Sequence, residues 1–308
     1  MQDCMPARWL FLDTAWTVNI RCTPWEDRRV AASESTKRRA AVLGSPIQHS
    51  LSPTLHCAAY AALGLTGWCY EAVNCDEAAL PAFIEQLGPE WAGLSLTMPL
   101  KRVALTVADE VSPLASAVGA ANTLLLAGSR HLRRAENTDV VGILAALREA
   151  GVNRVRAGVI LGAGGTAQAA LAALRELGDN APRVVVRNPA RTVELLATAD
   201  RLGVQPKILG GLPEVDLPDT DVVVSTLPPG AGETLRGRPW ISRPVVLDVV
   251  YTPWPTPLAA SARETGCQIV SGLAVLLHQA AAQVELMTGR CAPVAQMRAA
   301  LDAAVRAR

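Results

Sequence analysis

The sequence predicts an α/β protein of two successive blocks, each built on a mainly parallel sheet. Three observations predict it. From Ala40 onward, apolar runs of strand length alternate with longer segments of helical period. Near residue 158 a short apolar strand runs straight into Gly162-Ala163-Gly164-Gly165 and then into a helical segment, which opens a second α/β series. The 308 residues, 50% of them hydrophobic, suffice for two domains with separate cores.

Residues 1–36 mix polar, Trp and Arg content without sustained periodicity and are expected to form a poorly ordered extension. In the first block Ala41-Val42-Leu43 reads as a strand, 55–63 as a helix, 68–73 as a strand, 77–87 as a helix and 94–96 as a third strand. Such alternation implies parallel pairing, which gathers ligands beyond the carboxyl ends of the strands. In the second block 140–149 has helical spacing and Gly158-Val159-Ile160-Leu161 is a buried strand. A helix at 166–177, a strand at 183–186, a helix at 192–202 and strands at 222–224 and 245–247 follow. The apolar segment 273–286 is helical and near enough to the end to pack back on the first block. The expected domains are therefore 37–140, 141–272 and a returning 273–308.

Lys and Arg total 29 against 28 Asp and Glu, so no basic excess exists to hold a nucleic acid or an anionic membrane surface. The uncharged stretches 111–129 and 157–174 carry Pro, Asn or a glycine turn, and buried strand-turn-helix structure accounts for them better than a membrane span of roughly 20 apolar residues. Acids interrupt the N-terminal region, which does not read as a secretory signal. Seven cysteines, odd in number and never spaced CxxC, argue against a disulfide framework and a zinc site. The four histidines show no metal spacing either, so no metal is expected and a reducing cytoplasm fits best.

Gly162-Ala163-Gly164-Gly165-Thr166-Ala167 stands between a strand and a helix, where glycines permit a tight turn and let a pyrophosphate approach backbone N–H groups. An ordinary glycine turn is the plainer account. At the end of the next strand an NAD site would place an acid for the ribose 2′-hydroxyl, but here stand Arg187-Asn188-Pro189-Ala190-Arg191. Two guanidinium groups suit a 2′-phosphate and hence NADP, against the alternative of a solvated basic loop. In the first block, Ser50 and Ser52 are two apart, so an extended chain would aim both hydroxyls to one side, toward a carboxylate. Helix capping by Ser52 ahead of Pro53 is an equal alternative. Lys101 closes an apolar strand through Thr97-Met98-Pro99-Leu100, and Asn122 and Asp139 are polar groups in apolar company, where a turn or N-cap is the ordinary role.

Taken in order, these segments resemble the shikimate dehydrogenase family from Ala41 to about Met297. The matching motifs are PIxHSxSPxxH at 46–56, TxPxK at 97–101, GAxNT at 119–123, NTDxxG at 137–142, GAGGTA at 162–167, YxPxxTPL at 251–258 and GLxxLLxQA at 272–280. The resemblance implies an N-terminal α/β substrate domain with a mainly parallel sheet plus a Rossmann-like NADP-binding domain, with substrate bound where they meet. By matching position, Ser50, Ser52 and Tyr251 would hold a substrate carboxylate, and Thr97, Lys101, Asn122, Asp139 and Gln279 would face ring hydroxyls. Gly162, Ala163, Gly164, Gly165, Thr166 and Ala167 would carry the cofactor pyrophosphate, Arg187, Asn188 and Arg191 the adenosine 2′-phosphate, and Thr226 and Gly272 would also border the cofactor. Ser95, Val186-Arg187-Asn188 and Val224-Ser225-Thr226 depart from the family pattern, which usually holds Asn, Asn-Arg-Thr and Asn-Ala-Thr there.

The implied activity is the reversible NADPH-dependent reduction of 3-dehydroshikimate to shikimate, in the biosynthesis of chorismate and the aromatic amino acids, by a monomer or homodimer. Reducing a ketone needs a hydride donor at carbon and a proton donor at oxygen. Lys101 fits the second task, with Asp139 positioning it or sharing the proton. Two other readings stay open: a quinate or broad-specificity dehydrogenase of the same family, and a non-catalytic NADP-binding sensor. Quinate-active members tend to hold Thr at the second serine, so Ser52 resembles the shikimate-specific pattern.

Overall fold

In the computed structural model, which describes residues 37–127, 132–211, 219–235 and 240–308, strand β1 (Arg38–Gly44) is buried from Ala40 on. The expectation for residues 1–36 lies outside the described residues. Along the chain follow α1 (Ser52–Ala62), β2 (Trp68–Asn74), α2 (Leu80–Glu85), β3 (Trp91–Leu96), α3 (Val103–Val107), β4 (Glu110–Val111), α4 (Pro113–Val118), β5 (Thr123–Ala127), β6 (Leu132–Glu136) and α5 (Asp139–Glu149). The second series is β7 (Gly158–Leu161), α6 (Gly165–Glu176), β8 (Arg183–Val186), α7 (Val193–Leu202), β9 (Lys207–Gly210), β10 (Val222–Ser225), β11 (Val245–Asp248), α8 (Pro257–Glu264), β12 (Ile269–Ser271), α9 (Gly272–Thr288) and α10 (Val294–Arg306). Two compact units result among the described residues: those up to Ser112 with Ala121–Thr138 and Ala280–Arg308, and those of Pro113–Ala120 with Asp139–Gln279.

The sheet of the first unit has the order β2-β1-β3-β5-β6-β4. Strand–helix alternation predicts a mainly parallel sheet, and β1 is parallel to β2 and β3. Of the remaining pairs, β3–β5 and β5–β6 are antiparallel and β4–β6 is parallel again: the segment that carries α3, β4 and α4 delivers β5 against the direction of β3. The uncharged stretch after residue 111 contains helix α4 and then β5. Ala40, Val42, Ile47, Tyr60, Tyr70, Ala92 and Met287 form a core on this sheet. Met287, on α9, packs closely because Gly93 has no Cβ; one there would lie 3.0 Å from Met287 Cε. Helix α2 is shorter than the expected 77–87, since Asp76 Oδ1 accepts the Ala79 N–H at 2.9 Å ahead of it and Pro81 stands in its first turn.

The second sheet is wholly parallel in the order β12-β11-β10-β7-β8-β9. Numbered within the unit this is 6-5-4-1-2-3, the doubly wound arrangement whose strand order reverses between β7 and β10 and binds ligands at that reversal. Short, weakly patterned β9 and β12 and the alanine-rich α10 escaped the periodicity. Helix α7 ends on Gly203 at φ 67°, a left-handed cap that relieves its last carbonyls. Among the described residues no helix is long and apolar enough to cross a membrane, and no three metal-ligating side chains cluster.

Candidate active site

In the first unit the parallel pairing of β1 with β3 and the antiparallel return of β5 bring three segments to one end of the sheet. Ser50 and Ser52 follow the carboxyl end of β1, and Thr97 and Lys101 follow that of β3. Because β5 runs against β3 with Ser95 opposite Thr123, Asn122 arrives beside the end of β3, and Leu96 N–H donates to its carbonyl at 2.7 Å. The Ala121 N–H donates to the Lys101 carbonyl at 2.8 Å, tying the two segments again. Gly44 lets the loops after β1 and β3 touch: a Cβ there would lie 2.4 Å from Thr97 Cγ2 and 2.9 Å from the Met98 carbonyl oxygen. The capping alternative for Ser52 does not hold, since the N-cap of α1 is Leu51 and no side chain caps it. Ser50 Oγ accepts the Ser52 N–H at 3.3 Å, so the two serines are locked together at the start of the helix.

Asn122 is buried. Its Oδ1 accepts the Thr138 N–H at 2.7 Å and the Thr123 hydroxyl at 3.0 Å, and its Nδ2 donates to Thr138 Oγ1 at 2.9 Å. It therefore pins the backbone immediately before Asp139. Two residues that sequence reasoning did not assign stand behind it, Tyr70 and Gln283. Gln283 left one signal: it lies one helical turn beyond Gln279 in an otherwise apolar helix.

In the second unit Asp139 is the first residue of α5 and Gln279 lies on α9, both buried. Gly142 brings these helices close, since a Cβ there would lie 2.8 Å from the Val275 carbonyl oxygen and 2.9 Å from Gln279 Cβ. Gln279 Nε2 donates to the Leu276 carbonyl at 2.9 Å, and next to it His278 pairs with Glu149 at 2.8 Å. Tyr251 sits on the loop after β11, which Asp248 holds at both ends: Oδ1 accepts the Val250 N–H at 3.2 Å and Oδ2 the Thr256 hydroxyl at 2.6 Å. Burial pushes the Asp248 carboxyl above its ordinary pKa, against the opposing effect of these bonds. Thr256 Oγ1 in turn caps α8 through the Ala259 N–H. Asp248 was missed because its work is done by partners that follow it in an irregular loop.

The glycine turn lies at the reversal of strand order. Gly162 has φ 108°, and a Cβ on it would lie 2.6 Å from Thr226 Oγ1, so Thr226 flanks the turn from β10. Thr226 donates its N–H and its hydroxyl to the Leu161 carbonyl, each at 2.9 Å. At Gly164, the N-cap of α6, a Cβ would meet nothing within 4 Å. Among the described residues no neighbour requires a glycine there, whereas a ligand laid across the N-terminus of α6 would. Ala167 is fully buried, as a small residue for helix–strand packing should be. Arg187 and Arg191 are exposed just past β8, next to the turn through the pairing of Leu161 with Val185. Asn188 Oδ1 accepts the Ala190 N–H at 3.0 Å, so this departure from the family pattern shapes the loop. Gly272 is required by the Val249 carbonyl oxygen, which would lie 2.1 Å from a Cβ.

Residues 42–124 match the shikimate dehydrogenase substrate binding domain and residues 272–301 the shikimate 5′-dehydrogenase C-terminal domain. The chain is 37% identical over 270 residues to the shikimate dehydrogenase (NADP(+)) of Moorella thermoacetica, covering 83% of this chain and 90% of that one. Among solved structures it is similar to the Mycobacterium tuberculosis shikimate dehydrogenase, with TM-score 0.78 and 44% identity over 86% of this chain and 99% of that one. It also resembles the Thermus thermophilus shikimate 5-dehydrogenase in complex with NADP(H) and shikimate, with TM-score 0.74 and 32% identity over 87% and 99% of the two chains.

Proposed function

The chain belongs to the shikimate dehydrogenase family, and from that premise we propose that it interconverts shikimate and 3-dehydroshikimate with NADP as cofactor. The observation that carries this reading is the gathering of Ser50, Ser52, Thr97, Lys101 and Asn122 at one end of the sheet, the donor set a carboxylated polyol needs. Ser50 and Ser52 donate to the substrate carboxylate at the start of α1, where the helix end also favours negative charge, and Tyr251 donates to the same group. Thr97, Asn122 and Gln279 bond the ring hydroxyls.

When bound, NADPH supplies the hydride that reaches C3 of 3-dehydroshikimate. The Lys101 ammonium gives the proton to the C3 oxygen as negative charge develops there, which completes the two-electron reduction to an alcohol. Asp139 orients that ammonium and shares its proton. The open face at Gly164, the N–H groups of Ala163, Gly165, Thr166 and Ala167, and the Arg187–Arg191 pair fit a dinucleotide bearing a 2′-phosphate, with Asn188, Thr226 and Gly272 beside it, while Gly162, whose N–H donates to the Val185 carbonyl, makes the turn. A spectrophotometric assay of NADPH formation tests the proposal: shikimate turns over with NADP, quinate hardly. Equal kcat/KM for the two substrates would replace it with a broad-specificity dehydrogenase, and no turnover of either would reject it.

A further inference from the structure

Behind Asn122 runs a buried chain of hydrogen bonds whose direction can be derived. Tyr70, Ser95, Gln283, Thr123 and Asn122 are each at most 6% exposed. Two backbone groups set the polarity, because a backbone N–H can only donate and a carbonyl can only accept. The Thr138 N–H, 2.7 Å from Asn122, requires the carboxamide oxygen of Asn122 to face it. The Asn122 carbonyl, 3.1 Å from Gln283, likewise requires the Gln283 amide nitrogen.

The hydroxyls of Thr123 and Ser95 then have no choice, while the Thr138 hydroxyl makes a longer approach to Asn122 Oδ1 at 3.2 Å. Gln283 Nε2 donates to Thr123 Oγ1 at 2.9 Å, so Thr123 sends its single proton to Asn122 Oδ1 at 3.0 Å. Gln283 Oε1 accepts from Ser95 at 2.8 Å, and Ser95 accepts from Tyr70 at 2.6 Å. Burial raises the pKa of the Tyr70 phenol, and it lowers that of His56, stacked on Tyr70 at 3.9 Å, to about 3. The chain is thus uncharged at neutral pH and Tyr70 can only donate into it. Ser95, where the family usually has Asn, is the link between Tyr70 and Gln283.

We propose that Gln283 is a positioning residue for substrate recognition, one that fills the lone pairs of Asn122 Oδ1 with protein donors so that Asn122 meets the substrate through N–H alone. Resting on the function proposed above, this makes the substrate oxygen at Asn122 an acceptor whose own proton must go elsewhere. The Thr138 N–H by itself sets which way the Asn122 amide turns; what the burial of Tyr70, Ser95 and Gln283 adds is the Thr123 proton at the remaining lone pair of Asn122 Oδ1.

Gln283→Glu tests it. Glutamate keeps an acceptor for Ser95 and has one proton at most in place of the two on the amide nitrogen; buried among uncharged groups it turns that proton to the Asn122 carbonyl, so its oxygen faces Thr123 as an acceptor and draws the Thr123 proton away from Asn122. The KM for shikimate rises about tenfold, the scale of one net hydrogen bond, while the KM for NADP and the folded spectrum stay as they are. In an Asn122→Ala background the same change moves the KM for shikimate less than twofold, because the group acted on is gone. Equal effects in both backgrounds, or a folded Gln283→Glu enzyme with unchanged KM, overturn the proposal. Thr123→Val carries the same expectations if Gln283→Glu fails to fold. Inactivity of the unmodified enzyme toward shikimate would count against the function alone. In that event the Asn122 side-chain NH2 resonances of 15N-labelled protein decide: they shift in Gln283→Glu or Thr123→Val if Gln283 orients Asn122, and unchanged resonances overturn it.

Discussion

Gly142 on α5 and Gln279 on α9 meet so closely that a Cβ on the glycine would lie 2.9 Å from that of the glutamine. The NTDxxG motif thus carries a packing requirement one turn after Asp139. Gly142→Val should force the helices apart, destabilise the protein by about 1–3 kcal/mol as overpacking does, and lower kcat/KM for shikimate by about tenfold or more. Thermal melts and steady-state kinetics check both. A variant with normal melting and kinetics would mean that the contact yields freely.

Lys101→Met keeps the length and apolar stem of the side chain and removes the proton donor. Turnover should fall by roughly 10²–10⁴ with the KM for shikimate much less affected. Near-normal kcat would take the acid–base role from Lys101.

Arg187 is exposed at the end of β8, so its interaction with a phosphate is partly screened by water. Arg187→Ala should still raise the KM for NADP about tenfold and leave the low activity with NAD unchanged, because charge-assisted bonds to a phosphate are worth about 1.5–3 kcal/mol before screening. An unaltered preference for NADP would move the phosphate site elsewhere.

His56 is wholly buried, and desolvation depresses its pKa from 6.5 to about 3, an effect that the nearby Gln283 amide only partly opposes. The unfolded chain therefore takes up a proton below pH 6.5 that the folded protein refuses, so this contribution to stability is present above 6.5 and is lost on acidification. Relative to His56→Phe, the unmodified protein should lose about 1.4 kcal/mol of stability per pH unit as pH falls from 6.5 toward 3. Denaturant titrations at successive pH values measure it. A pH-independent difference would mean that His56 protonates in the fold.

The elements legible in the sequence were those whose requirements are local. A strand such as Gly158–Leu161 shows in its own residues, and the turn at Gly162 needs φ 108°, which glycine alone adopts without strain. The NADP preference proposed above rests on features that are equally local, since two guanidinium groups just past a strand suit a phosphate. The antiparallel placement of β5 and β6 was not, because alternation of apolar segments does not encode which strand a returning segment pairs with. Nor could Gly142 or Asp248 be assigned, since their partners come from another helix or an irregular loop. Gln283 is the clearest case: its bond to Ser95 spans 188 positions. A hydrogen bond's direction depends on every donor and acceptor around it, and those neighbours exist only once the chain is folded.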